Sequence, residues 1–157
     1  EEVNEIENAF YSGFLTDNEY ITIPNPLDGE YQIQTGGTGF GGPYTIAVGY
    51  ITDATSTQAE FNGETSPGLI SDIDFLFSST TPENLGFVIT IQDIIEDIEM
   101  AYNLGWIDNQ GIKNSLVKKI RNNAIGAFLN ELAAQRNKHI NGQAYNLLKE
   151  DVEWLLK

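Results

Sequence analysis

Residues 78–105 read SSTTPENLGFVITIQDIIEDIEMAYNLG, and the fold turns on how the apolar positions are spaced on either side of this stretch. Its first residues are polar, with Pro82 and Gly86 as breakers. Beyond them Ile91, Ile94, Ile95, Ile98 and then Ala101 or Tyr102 recur at i, i+3, i+4 and i+7, the spacing of one helix face. Gly105 stands where a helix stops by entering left-handed backbone. Trp106 and Ile107 follow, and then Asp108-Asn109, whose side chains suit the N-cap of a second helix. The stretch therefore divides the chain into a β-domain over residues 1–84 and a helical domain over residues 85–157.

From Phe10 to Phe77 the apolar pattern has period two. Tyr31 and Ile33 oppose Glu30, Gln32 and Gln34. Tyr44, Ile46, Val48 and Tyr50 oppose Thr45, Ala47 and Gly49, and Ile73, Phe75 and Phe77 oppose Asp72 and Asp74. Ile21 and Ile23 precede a proline stop. Strands apolar on one side need a second layer over that side, so the expected product is an antiparallel β-sandwich of Ig-like or jelly-roll-like type. Pro26-Leu27-Asp28-Gly29 and Ser66-Pro67-Gly68 are turn sequences. The run GGTGFGGP (36–43) reads as a hairpin loop, because neither a Lys nor a helical pattern follows, as a phosphate cradle would require.

Downstream, Ile112, Leu116, Val117 and Ile120 continue the helical spacing, as do Ile125, Phe128, Leu129 and Leu132, and then Tyr145, Leu147, Leu148, Val152, Leu155 and Leu156. None of these helices is apolar all round, so they pack together as a three- to four-helix bundle. The short interval KKIRNNAIGAFL (118–129) leads us to expect that the second and third helices fuse, with a kink near Gly126.

The charge is lopsided. Residues 1–112 hold 19 Asp or Glu and no Lys or Arg, while residues 113–157 hold 4 acidic and 8 basic side chains. A surface without cations gains nothing from releasing phosphate counterions, so nucleic acid is not an expected partner. Nor is membrane insertion, because no apolar run reaches 18 residues. There is no cysteine, which removes disulfides, thiolate metal sites and cysteine nucleophiles. Beginning at Glu1-Glu2-Val3, the chain reads as a mature or excised fragment. With residues 1–86 at −14 and residues 87–157 at −1, the two domains are expected to touch through a small, salt-sensitive interface.

IEDIEMAYNLGWIDNQGIKNSLVKKI (95–120) and AFLNELAAQRNKHINGQAYNLLKEDVEWLL (127–156) resemble the small α-helical domain called FIMAH. The residues that carry the resemblance are Gly105, Ile107 to Gly111, Asn114-Ser115-Leu116, Phe128-Leu129-Asn130 and Lys138-His139-Ile140. It covers roughly residues 90–157, with a shorter middle section than the family pattern. AFYSG (9–13), YITIPNPLDGEYQI (20–33), GGPYTIAVGYI (41–51) and FNGETSPG (61–68) are similar to β-sandwich modules near the C-termini of large secreted bacterial proteins. The two resemblances imply a piece of a secreted or cell-surface multi-domain protein, with any enzymatic activity belonging to other domains.

The candidate sites follow from residue chemistry. His139 is the one histidine, and it lies in a helix-end turn where capping or packing is its expected role. No cofactor is expected; the ion whose chemistry suits acidic loops is Ca²⁺, with Asp17, Glu19, Asp28, Asp72 and Asp74 as candidate ligands. Asp93, Glu96 and Asp97 form a further acidic group, read as a solvated face. Phe14, Tyr20 and Phe40 are the candidate ligand-binding aromatics, suited to stacking on a sugar. Trp106 and Trp154 fall at helical core positions, Trp154 within reach of the β-domain. The expected function is a non-catalytic structural and interaction module, whose partners are other domains of the parent protein, cell-surface polymer or glycan. A carbohydrate-binding module and a self-assembling surface subunit are the competing readings.

Overall fold

The computed structural model describes residues 6, 8–13 and 18–157. Phe14 and Asp17, two of the candidate site residues, lie outside the described residues. Strands β1 (Phe10–Tyr11) and β2 (Ile21–Thr22) pair with each other. Strands β3 (Gly29–Gly36), β6 (Ile70–Phe77) and β7 (Gly86–Val88) form one antiparallel sheet with β6 in the middle. Strands β4 (Gly42–Ile51) and β5 (Ser56–Thr65) form another. Helices α1 (Ile91–Asn103), α2 (Gln110–Arg121), α3 (Ile125–Gln135) and α4 (Gly142–Leu155) complete the chain.

The alternating rows set the register. Tyr31 lies opposite Phe75 and Ile33 opposite Ile73, with the rings of Tyr31 and Phe75 stacked 5.2 Å apart. On the other face Gln32 donates to Asp74 (3.1 Å) and Gln34 to Asp72 (3.0 Å). Both faces thus agree on one alignment, which a slip of one residue would destroy. Ala59 and Phe61 of β5, Ile73 of β6 and Phe87 of β7 are buried in one cluster, and Tyr44, Ile46 and Val48 of β4 pack against it. Contacts between the sheets include Tyr50 on Phe77 (4.8 Å) and Phe61 on Phe87 (5.5 Å).

Two expectations about this half are corrected. The glycine run 36–43 is no hairpin loop: it carries the chain from β3 in one sheet to β4 in the other. It is pinned to the β5–β6 turn by Gly37 N–H to Leu69 O (2.7 Å) and Gly68 N–H to Gly37 O (2.9 Å). The approach is so close that a Cβ on Gly37 or Gly41 would strike the backbone of residues 65–66. Residues 86–88, expected inside the helical domain, form β7 and close the β3–β6 sheet.

In the helical half, Thr90 caps α1 with a capping box: its hydroxyl accepts from Asp93 N–H, and the Asp93 carboxylate accepts from Thr90 N–H. Gly105 ends α1 at φ +74°, with Gly105 N–H bonded to Tyr102 O and Trp106 N–H to Ala101 O, the paired bonds of a Schellman cap. The expected fusion of α2 with α3 does not occur. Asn123 adopts φ +53°, and Asn123 N–H to Ile120 O and Ala124 N–H to Lys119 O repeat the same cap. Asparagine tolerates left-handed backbone well enough to act there as glycine does.

The four helices bury Ile94, Ile98, Ala101, Leu116, Ile120, Phe128, Leu132, Leu148 and Val152 in one core. The α1–α2 turn and the α3–α4 turn grip each other. Ile107 and Ile140 form an antiparallel bridge, Asp108 N–H donates to His139 O (3.1 Å), and Asn141 N–H donates to Trp106 O (2.9 Å). Asn109 and Asn141 then cap α2 and α4 through their side-chain oxygens.

Helix α4 also covers β5 and β7. Trp154 meets Phe87 edge-on at 5.1 Å, Asn146 donates to Glu64 (3.3 Å), and Asn62 N–H on β5 donates to Glu150 (3.4 Å). A helix over a strand edge satisfies polar groups that would otherwise invite another strand. The four ion pairs seen among the described residues all lie within the helical half. The junction is therefore apolar and hydrogen-bonded, and the expected charge attraction has no ion pair to act through there.

Candidate functional site

Where α1 and α4 meet the strands, a cavity of about 60 Å³ remains. Its lining includes Tyr44 and Phe61 from the β4–β5 sheet, Ile73 from β6, and Met100 and Leu147 from the helices. The polar part is almost wholly acidic: Glu64 from β5, Asp72 and Asp74 from β6, Asp93 and Asp97 from α1, and Asp151 from α4. No Lys, Arg or His lines it.

The burial of these acids is what sets the place apart. Asp151 is 1% exposed and Glu64 6%. Around the Asp151 oxygens the one group within hydrogen-bonding reach is another carboxyl, that of Asp97, and Oε2 of Glu64 has no partner. Asp97, partly buried on α1, faces Asp151. Desolvation pushes Asp97 up to about 7, and the negative charges of Asp93 and Glu96 push the same way. Asp151 is raised well above the ordinary carboxylate range, first by its own burial and then by the charge of Asp97. The pair can close a hydrogen bond only by keeping a proton on one carboxyl. Burial also raises the Tyr44 phenol, aided by the charges of Asp97 and Asp151.

Of the described acidic candidates, the structure sets Asp28 and Glu19 apart from Asp72 and Asp74, which share β6. Asp28 accepts from Ser79 N–H (2.8 Å) and Ser78 Oγ (3.3 Å), latching the β2–β3 turn to the end of β6, and these bonds hold its carboxyl below the ordinary range. Asp72 and Asp74 are engaged by Gln34 and Gln32. Since Gly29 pairs with Phe77 and Gln34 with Asp72, Asp28 stands roughly 15–20 Å along the strand from Asp72. Glu19 is exposed beside β2. Among the described residues no group of three His, Asp or Glu side chains is arranged to hold an ion.

The two described aromatic candidates, Phe40 and Tyr20, are exposed. Phe40 stands free at the tip of the β3–β4 connection. Tyr20 lies 5.9 Å from Phe10, both more than half exposed, with Ile21 exposed beside them. His139 points its Nδ1 at Asp108 Oδ1 (2.7 Å), so the turn motif spends both side chains on holding two turns together.

Asp151 was legible and missed. In LLKEDVEWL (147–155) it sits at helical spacing among Leu147, Leu148, Val152 and Leu155, a charged residue on an apolar stripe, which a solvated helix does not require. Asp97 precedes the core residue Ile98 and reads as a solvated residue until α4 is placed over it. Glu64 gave no such signal, because its partner Asn146 comes from α4, some 80 residues onward. No helix among the described residues is long and apolar enough to cross a membrane. No family model, curated protein or solved structure matches the chain.

Proposed function

We propose that the chain is a non-catalytic structural and interaction module from the C-terminal region of a secreted or cell-surface bacterial multi-domain protein. In this reading a two-sheet sandwich carries a FIMAH-like four-helix domain. Its partners are neighbouring domains, cell-surface polymer or glycan, and nucleic acid is not among them. The observation that supports it is the clasp between the two helical turns. Asp108, His139, Asn109 and Asn141, the polar residues of the motif that carries the resemblance, are all engaged in holding turns and capping helices. The motif is spent on architecture, as expected of an appended module.

A second reading, a carbohydrate-binding module, is favoured by the Phe10–Tyr20 pair, since exposed aromatic faces suit the apolar side of a sugar ring. A glycan array with the wild type, Phe40→Ala and Tyr20→Ala separates the two. Retention of no sugar at all counts against the second reading, and a glycan bound by the wild type and lost in either variant would put it ahead of the first. Hydrolase activity abolished by His139→Ala would overturn both.

A further inference from the structure

Glu64 and Asp151 are the two charged side chains that are buried among the described residues. They come from different halves of the chain, and both line the same cavity. A buried carboxylate is retained in proteins when something partners it, yet Oε2 of Glu64 has no donor and the Asp151 carboxyl faces another acid, Asp97, with no cation beside it. Asp97 adds a third carboxyl from a third element, and Asp72, Asp74 and Asp93 add negative charge at the rim with no cation to offset it. The cavity, about 60 Å³, has room for a few waters.

We infer that this cavity binds a hydrated Ca²⁺ ion, with Asp97 and Asp151 as direct carboxylate ligands and Glu64 reached through water. Calcium takes six to eight oxygens in irregular arrangements and accepts waters among them. That suits ligands drawn from β5, α1 and α4, whose spacing leaves no three carboxylates around a bare ion. Mg²⁺, which demands near-ideal octahedral geometry, fits such a set less well. A monovalent ion would leave the Asp97–Asp151 pair short of a balancing charge. The ion would tie α1 and α4 to β5 and so fix the helical half on the strands. This inference stands apart from the proposed function, because the site lies at the junction and away from the exposed aromatics.

The test uses the full chain freed of metal with chelator at pH 8. Calorimetric titration with CaCl₂ is run beside thermal melts with millimolar Ca²⁺ or Mg²⁺. Saturable binding near one ion per chain is expected. The melt should rise by several degrees in Ca²⁺ and less in Mg²⁺. Asp151→Asn should abolish both effects, and Asp97→Asn provides the same test if the first variant does not fold. Absence of heat and of any shift in the wild type overturns the inference. So does an equal response in the variants, which would place the ions on surface carboxylates.

Discussion

In the absence of divalent ions, Asp151→Asn should make the protein more stable at pH 8 and flatten the dependence of its stability on pH. Asp97 rises from 3.8 to about 7 in the folded state, so between those values the folded chain holds a proton that the unfolded chain has lost. Stability from this group is complete below about pH 4 and is lost as pH rises through 7. A shift of that size corresponds to on the order of 4 kcal/mol. Asp97 is partly open to solvent, which reduces the figure to about 2 kcal/mol. Asp151 is raised for the same reason and adds a loss of the same sign as pH rises. An Asn at 151 keeps the shape, removes one charge and can donate to Asp97, so the Asp97 carboxylate no longer needs a proton. Urea unfolding of both proteins in EDTA at pH 4.5 and pH 8, followed by Trp fluorescence, reads the difference, and surface groups common to both cancel in it. The variant should gain about 1–3 kcal/mol on the wild type at pH 8, and little at pH 4.5. A variant destabilised equally at both pH values would show that Asp151 serves packing alone and would refute the shared-proton reasoning.

Two further expectations concern the strands and the junction. Tyr44 lies across Gly63, where a Cβ would fall within its ring. Gly63→Ala should therefore displace Tyr44 and cost about 1–3 kcal/mol in urea unfolding, whereas Gly126→Ala, whose Cβ meets nothing, should not destabilise. Trp154→Ala removes the half-buried ring that packs on Phe87 and Gly86. It should cost about 2–4 kcal/mol, and hydrogen exchange should quicken in both β7 and α4; faster exchange confined to α4 would show that the junction does not couple the two halves.

Local chemistry made much of the architecture readable. Alternation in 29–77 marks strands, the Ile stripe from Ile91 marks α1, and Gly105 and Asn109 mark where one helix stops and the next begins. These features act over a few residues, through side-chain period and backbone conformation, and so survive without knowledge of the rest of the chain. The stop at Asn123 was equally local but less legible, since Asn takes left-handed backbone less often than Gly and the flanking apolar spacing suggested continuity.

What the sequence alone determined was which faces are apolar, where helices end, and the lopsided charge. Tertiary structure decided which faces meet. Strand partnership was settled by the packed chain: β3 with β6 and β4 with β5, so that a glycine loop resembling a hairpin became a crossing from one sheet to the other. The docking of α4 on β5 converted Glu64 from a strand-end charge into a buried one and set Asp151 against Asp97. Solvation of a carboxylate depends on everything packed around it, and here the groups that exclude water lie as far apart in the chain as β5 and α4. Periodicity could mark Asp151 as out of place, but only the packed chain gives it an acidic cavity to face.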